Sequence, residues 1–120
     1  MADAGLKEVC AQGLTLKFGR AENDPLVHCS GRLTSENAPV LKTHVRAMIP
    51  EAKVIILNLS DVAYMDSSGL GTVVGLYVSA RTRGCQLQLV NLSPRVREML
   101  GLANLLSAFE ACGQYGTRIP

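Results

Sequence analysis

The stretch that most constrains this chain runs from Ala52 to Leu76, AKVIILNLSDVAYMDSSGLGTVVGL, where a β-branched apolar run meets a serine- and glycine-rich turn and then an apolar segment of helical period. Lys53 to Leu57 is short and unbroken, the pattern of a strand buried on both faces of a sheet flanked by helices. Asp66, Ser67 and Ser68 are all N-cap residue types, so a helix is predicted to begin near Ser67, with Leu70, Val73, Val74, Tyr77 and Val78 on one face. Gly69 and Gly71 cost helix propensity in its first turn, and close approach of the backbone to another element is a reason for them. For Gly71 and Gly75, tight packing of the helix on the sheet is an alternative use.

A serine at a helix N-terminus stands among unpaired N–H groups at the positive end of the dipole. A phosphate on Ser67 would be partly compensated there, and it would invert the local surface charge shown to a partner. Plain helix capping is the other role for Ser67, and the two are compatible because a capping hydroxyl lies at the surface. For Ser68, helix-start chemistry is the simpler expectation.

The run LNLSDVAYMDSSGLG, its following helix, the continuation CQLQLVNLSPRVREMLGLANLLSAFE and the earlier Gly31-Arg32-Leu33 turn resemble the STAS domain, and within it the anti-sigma factor antagonists of bacteria. DSSGLG behind a buried strand is far more specific than a lone glycine motif, and the resemblance covers roughly residues 12 to 112. It implies an α/β STAS fold, a mixed sheet of four or five strands with helices packed against it. It also implies that Ser67 is the position phosphorylated in sporulation and stress-response members, with Ser68 as a secondary site. Asp66 matches the motif acid, which could position the hydroxyl or help a kinase recognise the turn; its plain role is a helix N-terminal acid worth a few tenths to about 1 kcal/mol. Gly69 and Gly71 match the family's Gly-Leu-Gly, where missing side chains let a partner or a loop lie close, while Leu70 anchors the helix in the core. Where active antagonists commonly carry Gly-Glu-Leu-Asp, this chain reads Gly31-Arg32-Leu33-Thr34, which points to a partner surface that expects a base at Arg32.

The function implied is that of a binding module. Asp66, Ser67, Ser68, Gly69, Gly71, Arg32 and Thr34 would face an anti-sigma factor of the serine protein kinase type, docking would release a sigma factor, and phosphorylation at Ser67 would switch it. A phosphatase is a further partner. The kinase supplies ATP and magnesium, so the chain needs no cofactor of its own. The alternative from the same resemblance is a STAS subunit of a membrane lipid or anion transporter complex, with the same surface permanently bound.

Residue chemistry agrees with a non-enzymatic reading. A serine hydrolase would need His28 or His44 within reach of Ser67 or Ser68, yet His28 lies in an apolar strand, His44 on a separate helix, and no GxSxG elbow occurs. Nothing reads GxxxxGK[ST]. With 120 residues, 48% of them hydrophobic, the chain fits one core and is too short for two domains. A net charge of +2 and 4% aromatics argue against direct nucleic-acid binding. Cys10, Cys29, Cys85 and Cys112 have no metal or redox spacing and read as buried free thiols. No signal-peptide pattern and no run of roughly 20 apolar residues is present, so no membrane insertion and a cytoplasmic location are expected.

Along the chain, residues 1–11 read as a loosely held N-terminus, 12–112 as the domain and 113–120 as a tail. Leu14 to Phe18 and Leu26 to Gly31 form a predicted hairpin around Ala21 to Pro25. Thr34 or Ser35 would cap a helix carrying Val40, Leu41, His44, Val45 and Met48, stopped by Pro50. Gln86 to Val90 alternates as a strand, Ser93-Pro94 opens a short helix closed by Gly101, and Leu105 to Phe109 suggests an edge strand or helical turn. Right-handed crossovers between such elements give a mixed sheet with helices on one side.

Overall fold

The computed structural model describes residues 7–102 and 118–119. In chain order these form β1 (Lys7–Ala11), β2 (Leu14–Ala21), β3 (Asp24–Leu33), α1 (Ala38–Met48), β4 (Val54–Met65), α2 (Ser67–Thr82), β5 (Gln86–Val90), α3 (Pro94–Leu102) and β6 (Arg118–Ile119). A single mixed sheet takes the strands in sequence order. The pairs β1/β2 and β2/β3 are antiparallel, β3/β4 and β4/β5 parallel, and β5/β6 antiparallel. The expected α/β architecture is present, and two short pieces extend its edges: Lys7–Ala11, where the sequence shows no period, and Arg118–Ile119. Leu105 to Phe109 and Cys112 lie outside the described residues.

The antiparallel half follows from its turns. Gln12 (φ 49) and Gly13 (φ 87) both take the left-handed conformation that a two-residue hairpin between twisted strands requires. The predicted second hairpin closes at Glu22 and Asn23, with Ala21 paired to Asp24. In the parallel half, β4 lies between β3 and β5, so Val54 to Leu57 is an interior strand as the apolar run predicts. The strand continues to Met65 because Leu59, Val62 and Met65 still enter the core while Ser60, Asp61, Ala63 and Tyr64 stay exposed. Register shifts against β3 break the period of two there, which hides this second half from pattern reading.

Phe18, Val27, Leu57 and Leu89 form one row across four strands. This face meets Leu41 and Val45 of α1, Val73, Leu76 and Ala80 of α2, and Val96 and Leu100 of α3 in one hydrophobic cluster. Ile56 and Val90 are also buried but lie outside that cluster, on the alternate face of their strands, so the centre of the sheet is covered on both sides.

Tertiary contacts shift several local expectations. Asn37, rather than Thr34 or Ser35, stands at the N-cap of α1, and α1 ends at Met48 before Ile49–Glu51 make a 3-10 turn around Pro50. The buried stripe of α2 is Gly69, Val73, Leu76 and Ala80; Leu70, Val74 and Tyr77 are only half-buried, and Val78 is exposed. Ser93 caps α3 as expected, its Oγ accepting from Val96 N–H at 3.2 Å while donating to the Val62 carbonyl at 2.7 Å. Gly101 lies inside α3 rather than closing it.

Cys10 is exposed on β1, contrary to the expectation of burial, whereas Cys29 and Cys85 are buried free thiols. Burial pushes the Cys29 thiol up from 9.0 to about 12, and raises that of Cys85 as well. An unfolded chain would ionise Cys29 first, so its contribution to stability is present below pH 9 and is lost as pH rises toward 12. Iodoacetamide at pH 8 should therefore label Cys10 in the folded protein and leave Cys29 unmodified until denaturant is added. Peptide mapping that found equal labelling of both in the native state would contradict this packing.

Candidate functional site

The turn from Met65 to Leu70 is held by Asp66. Its Oδ1 accepts from Gly69 N–H at 2.9 Å, capping α2, and its Oδ2 accepts from Ser35 N–H at 3.3 Å. Its own N–H donates to the Leu33 carbonyl at 3.2 Å. One residue therefore fixes the start of α2 against the end of β3 and the following turn. Gly69 lies directly against that end: a Cβ added there would collide with the Leu33 carbonyl oxygen. The close approach anticipated for Gly69 is thus to the end of this protein's own β3.

The result is an outward-facing helix start. Ser67 is the first residue of α2, and Ser67 and Ser68 are both exposed. The helix N–H groups at these first positions have no carbonyl one turn back to receive them. Gly71 and Gly75 are exposed, and a Cβ on either would meet nothing within 4 Å, so neither serves packing on the sheet. They line a groove of about 390 Å³ between α1 and α2, with Lys42, Arg46, Ser68 and Ser79 on its walls.

Arg32 and Thr34 diverge from one another. Arg32 is exposed at the end of β3, paired in register with Tyr64 of β4. Thr34 is buried, with its Oγ1 accepting from Glu36 N–H at 3.3 Å and its carbonyl receiving the N–H groups of Asn37 and Ala38. A partner at this end would meet Ser35 and Glu36, which are exposed, before it met Thr34.

Asn37 is a residue that sequence reasoning missed. Fully buried, its Oδ1 accepts from Thr34 N–H, and its Nδ2 donates to the carbonyls of Gln12 and Arg32, all at 2.9 Å. It thereby joins the β1–β2 turn to the end of β3. An asparagine three residues after a threonine signals a turn, but its long-range partner Gln12 has no trace in local pattern. The histidines are engaged elsewhere: His28 Nε2 lies 2.8 Å from Asp61 Oδ2, and His44 Nδ1 lies 2.9 Å from the Val40 carbonyl oxygen. Among the described residues no three potential ligands converge as a metal site, and no helix is long and apolar enough to cross a membrane.

Residues 18–115 match the model of the STAS domain. The chain is 34% identical over 84 residues to the anti-sigma-B factor antagonist of Bacillus subtilis (strain 168), an alignment covering 70% of this chain and 77% of that one. Among solved structures, the anti-sigma factor antagonist from Mycobacterium paratuberculosis superposes with a TM-score of 0.71 at 22% identity, covering 80% of this chain and 82% of that one. The anti-sigma factor antagonist SpoIIAA in its unphosphorylated form superposes with a TM-score of 0.65 at 22% identity, covering 77% of this chain and 83% of that one. Both likenesses carry the mixed sheet and its helices.

The two glycines of the motif should respond oppositely to alanine. Gly69→Ala drives a methyl into the Leu33 backbone and should destabilise by about 2 kcal/mol or more, while Gly71→Ala meets open space and should stabilise by up to about 1 kcal/mol through helix propensity. Urea unfolding of the two variants measures this. Equal effects would mean that α2 does not approach β3 as described.

Proposed function

The chain belongs to the STAS domain family, and on that premise we propose that it is an anti-sigma factor antagonist whose Ser67 turn docks on an anti-sigma factor of the serine protein kinase type. The observation that carries this reading is the exposed serine that opens α2 directly behind its capping aspartate. The name of the 34% identical Bacillus relative supports the general role. The open flank at Gly71 and Gly75 lets a partner backbone approach the helix. Docking displaces the sigma factor from its inhibitor, and the chain itself performs no chemistry.

Phosphorylation at Ser67 is the switch in this reading. The added dianion, about two charges, lies at the helix N-terminus, where the dipole and the free N–H groups offset part of it. The fold tolerates the modification, whereas a close-packed contact with the partner does not. Asp66 contributes by holding the turn, and Ser68 adds helix-start chemistry at the edge of the α1–α2 groove. A phosphatase would restore the binding form.

Ser67→Asp should weaken binding to the serine-kinase anti-sigma factor of the same genome by roughly 2 kcal/mol or more, the scale for disturbing a desolvated charged contact. Stability of the variant should change by no more than about 1 kcal/mol. Ser67→Ala should bind like the parent and resist release by kinase and ATP. Titration calorimetry of each form, with mass spectrometry after kinase treatment, tests both steps. Phosphate found only elsewhere, or equal affinity of modified and unmodified protein, would remove the switch.

A further inference from the structure

Beside the Ser67 turn, two arginines share one tyrosine. The Arg32 guanidinium carbon lies 5.3 Å and that of Arg95 5.2 Å from the centre of the Tyr64 ring, both within the reach of a cation–π contact. Tyr64 is 41% exposed, although it is one of the larger apolar surfaces of the fold. The three residues come from separate elements: Arg32 from the end of β3, Tyr64 from the end of β4, and Arg95 from the first turn of α3. Arg95 is anchored from below by a 3.4 Å bond to the Met65 carbonyl, the residue that precedes the capping aspartate.

The charges of this cluster are incompletely matched. Arg95 pairs with the exposed Glu98 at 3.0 Å, and its Nε is buried without a hydrogen-bond partner. Among the described residues no carboxylate lies within ion-pair distance of Arg32, since Asp61 is taken by His28 and Asp66 by the helix start. Two cations over one ring repel each other, and an approaching anion would relieve that repulsion. Guanidinium forks match carboxylates in bidentate fashion while stacked on an aromatic face, and exposed Tyr and Arg are the residue types enriched at interface hot spots.

We propose that Arg32, Tyr64 and Arg95 form an acidic-segment docking platform, on which a short stretch of the partner protein places one or two Asp or Glu side chains while the Ser67 turn is engaged. The inference rests on the reading that this end of the fold is the docking end, and it specifies the chemistry of the partner there. A nucleic-acid backbone fits poorly, because the platform has two arginines rather than an extended basic stripe. A carboxylate-bearing loop with apolar neighbours can use both the guanidiniums and the exposed part of the ring.

The test combines two arms. In the first, affinity for the anti-sigma factor of the same genome is measured at 50 and 200 mM salt for the parent, Arg32→Gln, Arg95→Gln, Tyr64→Leu and Ser67→Asp. Each arginine variant should bind at least 5-fold more weakly at 50 mM salt and show a shallower salt dependence, and Tyr64→Leu should lose a few-fold. If Ser67→Asp weakens binding while the arginine variants and the salt slope are unchanged, the platform is overturned and the docking reading stands. If the parent does not bind that factor, the docking reading fails and the second arm decides the platform alone. In that arm, nitrogen-15 NMR follows titration with an octapeptide of alternating Asp and Glu, with inorganic phosphate and an octalysine peptide as counter-probes. Shifts at Arg32, Tyr64 and Arg95 with the acidic peptide, abolished by Arg32→Gln in a protein whose other resonances are unmoved, support the platform. Equal shifts with phosphate would mark a small-anion site instead, and shifts elsewhere would overturn the proposal.

Discussion

Asp66 is the residue on which the geometry of the functional end depends. Its two carboxylate oxygens receive N–H groups from different elements, Gly69 of α2 and Ser35 of the turn after β3, and its own amide reaches the Leu33 carbonyl. Hydrogen bonds to a charged acceptor are worth about 1.5–3 kcal/mol each, more than neutral ones. The bonds converge on a place where α2 passes so close to Leu33 that a methyl at position 69 has no room. Capping and close packing therefore reinforce one another: Asp66 and Gly69 are committed to the junction, and Ser67 and Ser68 between them are left exposed.

That junction also sets the rotation of α2. Once Gly69 lies against Leu33, the residues one, two and three turns later, Val73, Leu76 and Ala80, must face the core. The opposite flank then carries Gly71 and Gly75 into the α1–α2 groove. The same parallel strands β3 and β4 that bring Leu33 to Met65 bring Arg32 to Tyr64, so the packed junction and the exposed arginine–tyrosine cluster are successive rungs of one ladder. Asn37 holds the neighbouring β1–β2 turn to this end through Gln12, which steadies the rung from the other side.

Much of this was legible in order along the chain. The apolar run Val54 to Leu57 has the composition of an interior strand, and a buried strand with helices between its parallel neighbours is the simplest way to cover it. The start of α2 is marked by three consecutive capping residues, and the start of α3 by serine before proline, because local side-chain to backbone bonds decide such boundaries. The stripe of α2 was not legible: its sequence is apolar on nearly all sides, and Leu70, Val74 and Val78 give a helical period as regular as the one that is buried. The cap of α1 was missed because Asn37, Thr34 and Ser35 are all suitable types, and the choice depends on bonds to Gln12 and Arg32.

The sequence by itself determined the order of the elements from β2 to α3, the apolar interior of the sheet and the exposed serine that opens α2, since each is encoded in residues within a few positions of one another. Tertiary structure alone decided which side of α2 is buried, why Gly69 has no room for a side chain while a Cβ at Gly71 would meet open space, and that Arg32 and Arg95, 63 positions apart by their numbers, come to lie over the same ring. The physical reason is that these facts follow from the register of β3 on β4 and the path of the chain into α3. Such pairings are made between groups distant in sequence, and no local periodicity or capping preference carries them.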